Sequence, residues 1–138
     1  MFFSATHRIF KPAGIETGPS PIHGQGVFAG RLFKKGELIE TAPVILLDNT
    51  DWELLRETHL FGYYFLLNNK KHPAALGLGL SSLYNHAVQS NAAYTVSIKK
   101  QCLCFNALRT IQPGEEITLN YNGRPGDESP VYFPAPVV

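Results

Sequence analysis

Cysteine is scarce in this chain: Cys102 and Cys104 are the only two, with one residue between them. Alternate side chains of a strand share a face but rarely reach disulfide geometry, so both are read as reduced thiols. Charge of one sign is also missing. The net charge is +1, and no basic block exceeds pairs such as Lys34-Lys35 and Lys99-Lys100. That excludes the electrostatic footprint of a dedicated nucleic-acid binder. No apolar run reaches the roughly 20 residues of a membrane helix. The first ten residues carry His7 and Arg8 where a signal peptide would have its apolar core. The expected location is the cytoplasm, although an effector secreted into a host or reaching its nucleus by another route would look the same. Zinc-ligand spacing is lacking as well, since His86 stands far from both cysteines, and no metal is expected.

What is present is the balance of one globular domain. The 138 residues are 44% hydrophobic and 17% charged, enough apolar material for one core and too short a chain for two. Ten prolines and twelve glycines cut the chain into short pieces. Between them, Val27-Phe28, Val44 to Leu47, Tyr94 to Ile98 and Glu116 to Leu119 have the β-branched and aromatic character of strands. A mostly β framework follows. One helix is expected over Thr50 to about Phe65, capped by Asn49 or Thr50, with Trp52, Leu55, His59 and Leu60 at helical spacing. Lys70 to Pro73 is a polar break. The small, glycine-punctuated stretch from Ala74 to Leu83 must be buried or pressed against a ligand. Two turn-and-strand corners, Phe33 to Glu37 and Ile111 to Glu115, resemble each other, but turn tripeptides recur by chance and no repeat is inferred. From Asp127 onward the prolines bar helix and central strand, leaving a tail that is either frayed or clamped over something.

Three constellations carry chemistry. Gly24-Gln25-Gly26 just before a strand lets backbone approach a ligand where a Cβ would collide, with a tight turn between strands as the bland alternative. A dinucleotide fingerprint is excluded, because no third glycine opens a helix. Leu83-Tyr84-Asn85-His86, with Asn91 six residues beyond Asn85, concentrates polar groups that need partners, for a ligand or for a structural turn. Pro113-Gly114-Glu115-Glu116-Ile117-Thr118-Leu119-Asn120-Tyr121 is a turn, a strand and an aromatic end, which alone reads as an ordinary final strand.

Taken in order, the Gly-x-Gly-Val-Phe-Ala turn, the Asn-His pair and Gly-Glu-Glu-Ile-Thr-x-x-Tyr resemble the signature of the SET domain, over about residues 15–123. The likeness extends to the short stand-alone SET proteins of large algal viruses and bacteria through Asp51-Trp52, Leu60-Phe61 and Ala74 to Gly79. The resemblance implies a SET fold: mostly β, β-clip-like small curved sheets with a C-terminal pseudoknot and a short helical insert at 48–73. Residues 1–14 would be an extension and 124–138 a tail, a candidate cofactor cover.

The resemblance also implies a protein-lysine N-methyltransferase that uses S-adenosylmethionine. Gly24, Gln25, Gly26, Asn85 and His86 would bind the cofactor, His86 mainly through its backbone, with Tyr132 and Phe133 of the tail covering the adenine. Tyr121 would be the catalytic tyrosine and touch the cofactor too, while Tyr63, Tyr64 and Tyr94 would line the lysine channel. Tyr94 stands where the family limits how many methyl groups fit, which favours mono-methylation. The partner would be a protein presenting a lysine, a histone tail or a bacterial protein, with no direct nucleic acid and no membrane; a homodimer is compatible with the pattern. Ala87, Val88 and Ser90 replace the usual Ser, Cys and Pro, so the Asn-His loop is expected to be looser. His59 and Leu80 depart from aromatic positions, which is expected to alter the lysine channel. Those departures motivate the alternative of a catalytically impaired SET module that binds cofactor or protein as a scaffold.

Overall fold

The computed structural model describes residues 14–131 of the chain. In chain order its elements are β1 (Ile15–Pro19), β2 (Gln25–Ala29), β3 (Leu38–Leu47), α1 (Asn49–Leu55), β4 (Tyr64–Leu66), β5 (Ala74–Gly77), β6 (Asn85–His86), β7 (Ala92–Ser97), β8 (Cys102–Ala107) and β9 (Glu116–Leu119). They form two sheets, one ordered β1-β2-β9-β6 and the other β4-β5-β3-β8-β7. Every pairing is antiparallel except β6 with β9, where Asn85 lies opposite Thr118 and His86 opposite Leu119. All four segments expected to be strands fall on strands, with Ile98 alone lying in the turn after β7. Val27, Phe33, Leu103, Phe105, Ile111 and Ile117 are fully buried and fill the core around both sheets. Each such side chain contributes roughly 1.5–3 kcal/mol on leaving water.

The sheets are joined through the two similar corners, and the likeness between them is structural. Phe33 N donates to Ile111 O at 3.0 Å, and Ile111 N returns the bond to Phe33 O at 2.9 Å. Gly36 N reaches Ala107 O and Gly114 N reaches Ala29 O, both at 2.7 Å. Gly36 and Gly114 hold φ of +85° and +86°, the left-handed region that glycine enters without steric cost. Each corner also carries its own ion pair, Arg31–Glu37 at 2.7 Å and Arg109–Glu115 at 2.9 Å. The two segments are therefore mutual partners related by a local two-fold, and the resemblance dismissed as chance in the sequence is a packing device.

The insert departs from expectation. α1 ends at Leu55, not near Phe65, and its cap is Asp48, whose side chain accepts from Asp51 N at 2.9 Å. None of its residues is fully buried: Trp52 and Leu55 are half-buried where the helix touches β3, and His59 and Leu60 beyond it are exposed. Beyond it, Thr58 Oγ1 bonds back to Leu55 O at 2.8 Å, bonds tighten to one-turn steps such as Phe61 N to Thr58 O, and Gly62 takes φ of +90°. Tyr64–Leu66 then pairs with β5. The 48–73 insert is thus one short helix, a run of turns and an edge strand. In the glycine-punctuated stretch, Ala74, Ala75 and Gly77 are buried, whereas Leu78 at its turn is 40% exposed. Cys102 and Cys104 are free thiols on β8, an interior strand between β3 and β7. Among the described residues no helix is long and apolar enough to cross a membrane.

Candidate active site

β9 and the residues after it reach across to the Asn-His segment, and this crossing builds the site. Ala87 N donates to Leu119 O at 3.0 Å, while Val88 O accepts from Asn120 Nδ2 at 3.3 Å and from Gly126 N at 2.8 Å. Asn91 is zipped onto the same strand: its Nδ2 donates to Glu116 O and its Oδ1 accepts from Thr118 N, both at 2.8 Å. Each of these bonds is worth about 1 kcal/mol. The loop that carries Ala87, Val88 and Ser90 is held on both sides, so the expected loosening is not what the structure shows.

Against this crossing opens a cavity of about 760 Å³, within the usual size range for small-molecule sites. One end is the β1–β2 turn with His23, Gly24 and Gln25. The other is aromatic, and every described tyrosine contributes to the lining: Tyr63, Tyr64, Tyr84, Tyr94 and Tyr121. The structure therefore brings the sequence-derived channel residues Tyr63, Tyr64 and Tyr94 together with Tyr121, Gly24, Gln25 and Asn85. Tyr94 packs edge-on against Phe65 at 5.0 Å, and burial raises its hydroxyl pKa. Gly26 and His86 do not line the cavity. Tyr132 and Phe133 lie outside the described residues. His59 is exposed in a separate shallow hollow and does not touch this cavity, so it does not alter the channel directly. Leu80 packs against the core.

Two of the expected residues also make contacts within the fold. At Gly26 the Glu116 carboxylate occupies the space a Cβ would take. Gly24 is the open position, with φ of +46° and nothing near the site of a Cβ. The His86 ring is also engaged: Nδ1 accepts from Tyr121 N at 3.0 Å, and the two rings sit 5.3 Å apart. Burial holds the imidazole below its ordinary 6.5, which keeps that nitrogen unprotonated and able to accept.

Tyr121 lies just beyond the end of β9. Its hydroxyl donates to Tyr84 O at 2.8 Å. Its pKa is pushed up to about 12, mainly by burial and further by Tyr63 and Glu116. The phenol is neutral at any physiological pH. With its hydrogen committed to Tyr84, it can act on a substrate amine as an acceptor and not as a base.

Two glutamates escape a reading by motif. Glu116 receives Asn85 Nδ2 at 2.8 Å and Ser20 Oγ at 2.8 Å, and the same Asn85 amide reaches His23 O at 2.9 Å and Gln25 O at 3.1 Å. Asn85 thus clamps the glycine turn, with Glu116 fixing the clamp. Glu40, only 5% exposed, accepts from Tyr84 OH at 3.0 Å and Leu80 N at 3.1 Å. Glu40 shares the inward face of β3 with buried Ala42 and Val44, and the bulge between Leu38 and Glu40 puts exposed Leu38 out of phase with them. For Glu116 the available signal was the doubled Glu115-Glu116. On one strand end they must face opposite ways, and only one can join the exposed ion pair.

Among the described residues no group of three His, Cys, Asp or Glu side chains could hold a metal ion. Curled sheets that deliver a glycine turn, an Asn-His strand and a terminal tyrosine to one cavity define a domain of the SET kind. The SET domain family model matches residues 24–122, and the chain belongs to that family. The H3 lysine-37-specific histone-lysine N-methyltransferase of Schizosaccharomyces pombe is 29% identical over 99 residues, 71% of this chain and 66% of that protein, so the match spans just under two thirds of the relative. Among solved structures, a Plasmodium falciparum protein named as a candidate histone methyltransferase matches with a TM-score of 0.65 at 28% identity, over 78% of this chain and 92% of that one. ctPRC2 in an autoinhibited conformation bound to S-adenosylmethionine shares the fold, with a TM-score of 0.67 at 23% identity over 81% of this chain and 16% of that one.

Proposed function

We propose that this protein is a protein-lysine N-methyltransferase that uses S-adenosylmethionine. The observation that carries the reading is Tyr121: a neutral, hydrogen-bonded phenol at the wall of a tyrosine-lined cavity that also contains the Gly24 turn. The residues fit the cofactor. The turn around Gly24 is an open cradle clamped by Asn85, and the aromatic faces nearby suit a sulfonium cation, an attraction worth on the order of 1–2 kcal/mol when desolvated. Gly24, Gln25, Asn85 and Tyr121 would hold it, Gly26 and His86 would support from behind, and Tyr132 and Phe133 are the candidate cover. When bound, S-adenosylmethionine supplies an electrophilic methyl group on sulfur.

The protein's own residues do the remaining work. Among the described residues no Asp or Glu lines the cavity, and the reading needs no carboxylate base. Burial between tyrosine rings disfavours the charged form of a lysine amine, whose ordinary pKa is about 10.4, and its proton can leave to water. Tyr121 then orients the neutral nitrogen by accepting a hydrogen bond, and Tyr63 and Tyr94 confine the chain that carries it. Orientation of this kind is the main contribution such a site can make. The Tyr94 hydroxyl crowds the channel near Gly123 and favours mono-methylation. A histone or histone-like protein is the proposed substrate, as in the name of the Schizosaccharomyces pombe relative.

The test is transfer of radiolabelled methyl from S-adenosylmethionine to histones and to cell lysate, beside calorimetry of cofactor binding. Label transfer that Tyr121→Phe abolishes supports the enzyme. Cofactor binding with no transfer to any protein would favour the scaffold reading, and absence of binding would sink both.

A further inference from the structure

We propose that Glu40 is a positioning residue for Tyr121, acting through Tyr84 from the far side of the cavity wall. The path is continuous: Leu80 N and Tyr84 OH both donate to the Glu40 carboxylate, and Tyr84 O accepts from Tyr121 OH. Tyr84 is 2% exposed and its ring is stacked on Phe105 at 4.7 Å, so the residue has little room to move while its hydroxyl is held. The same carboxylate fills the space beside Gly79, which takes φ of +64° to let the chain turn around it. Segment 79–84 is therefore folded about one buried acid. Ser81, Ser82, Leu83 and Tyr84 of that segment line the cavity.

A carboxylate in this place is costly, and desolvation raises its pKa. A core that needed only to be filled would be better served by an apolar side chain. What the acid adds is two acceptor oxygens for donors 40 and 44 residues away in sequence, and these bonds fix where the Tyr84 carbonyl sits. That carbonyl sets where the Tyr121 oxygen points. Misplacement of a reacting group by about 1 Å can cost on the order of 100-fold in rate, so a lever on this carbonyl is a lever on transfer. The role rests on Tyr121 being the transfer tyrosine.

The experiment compares Glu40→Gln and Tyr84→Phe in the full chain. Glutamine offers one acceptor where two donors need partners, and phenylalanine keeps the ring stacked while removing the link. Tyrosines labelled with carbon-13 at Cζ report the hydroxyl hydrogen bond, with Tyr121→Phe assigning its signal. Both variants are expected to move the Tyr121 resonance in the same direction and to lower kcat for histone methylation about tenfold, while KM for S-adenosylmethionine stays within about twofold. The double variant is expected to lose no more than the worse single, because both cut one path. A variant that melts earlier yet leaves the Tyr121 resonance and kcat unchanged would overturn the inference, since the role would then be structural only. If the wild type transfers no methyl while the Tyr121 resonance still moves, the positioning stands and the enzyme reading falls.

Discussion

Glu40 and Glu116 grip consecutive residues, Tyr84 and Asn85, from two different sheets, and the contrast between them explains how the cavity is held. Glu40 faces the core and binds the aromatic wall. Glu116 faces the β1–β2 turn, where Ser20 and the Asn85 amide share it. One acid fixes the end proposed for the lysine, the other the end proposed for the cofactor. The same functional group thus has two separable tasks, and variants at each should fail differently.

The largest effect should come where both ends meet. Tyr121→Phe removes the bond to Tyr84 O and is expected to reduce methyl transfer by on the order of 100-fold or more, with cofactor affinity by calorimetry little changed. Glu116→Ala comes next. It removes the acceptor of Ser20 Oγ and one of the three acceptors of the Asn85 amide, a loss of about 1–3 kcal/mol, and is expected to weaken cofactor binding about tenfold or more by calorimetry. Glu40→Ala should cost a similar amount of stability in urea unfolding but leave cofactor affinity near wild type. If Glu40→Ala weakened cofactor binding as much as Glu116→Ala, the division between the two ends would be wrong.

A pH dependence sharpens the comparison at His86, which backs Tyr121 at the same crossing. Burial lowers its folded-state pKa below 6.5. Above 6.5 both states are neutral and the stability is intact; as pH falls, the unfolded chain takes up the proton first and stability is lost down to the folded pKa. Thermal unfolding should show a decline below pH 6.5 that is reduced in His86→Gln. The smallest effects belong to the corner ion pairs. Arg31→Ala and Arg109→Ala should change melting temperature within the scatter of the measurement, because both pairs are largely exposed.

Much of this was legible in the residues. Val44 to Leu47 and Glu116 to Leu119 announce strands by β-branching, and the three ordered motifs led to the family and to Tyr121. The length of α1 was not legible, because helical spacing at Trp52, Leu55 and His59 says nothing about whether a surface exists to receive it. Nor was Glu40, since its inward face is shared with Ala42 and Val44 but the donors that make a buried acid tolerable, Leu80 N and Tyr84 OH, lie far away in sequence. The missing Cβ of Gly26 was legible as a need for space, but the neighbour it makes room for, Glu116, lies 90 residues away and was not.

The sequence by itself determined the β framework, the glycine turns and the presence of an Asn-His pair and a terminal tyrosine, because those depend on local sterics and on residue identity. Only the tertiary structure decided which groups those residues would meet. Asn85 turned out to clamp a turn, His86 to hold a backbone amide and Tyr84 to tie a buried acid to Tyr121, since each of those bonds joins segments that become neighbours only when β9 crosses beside β6.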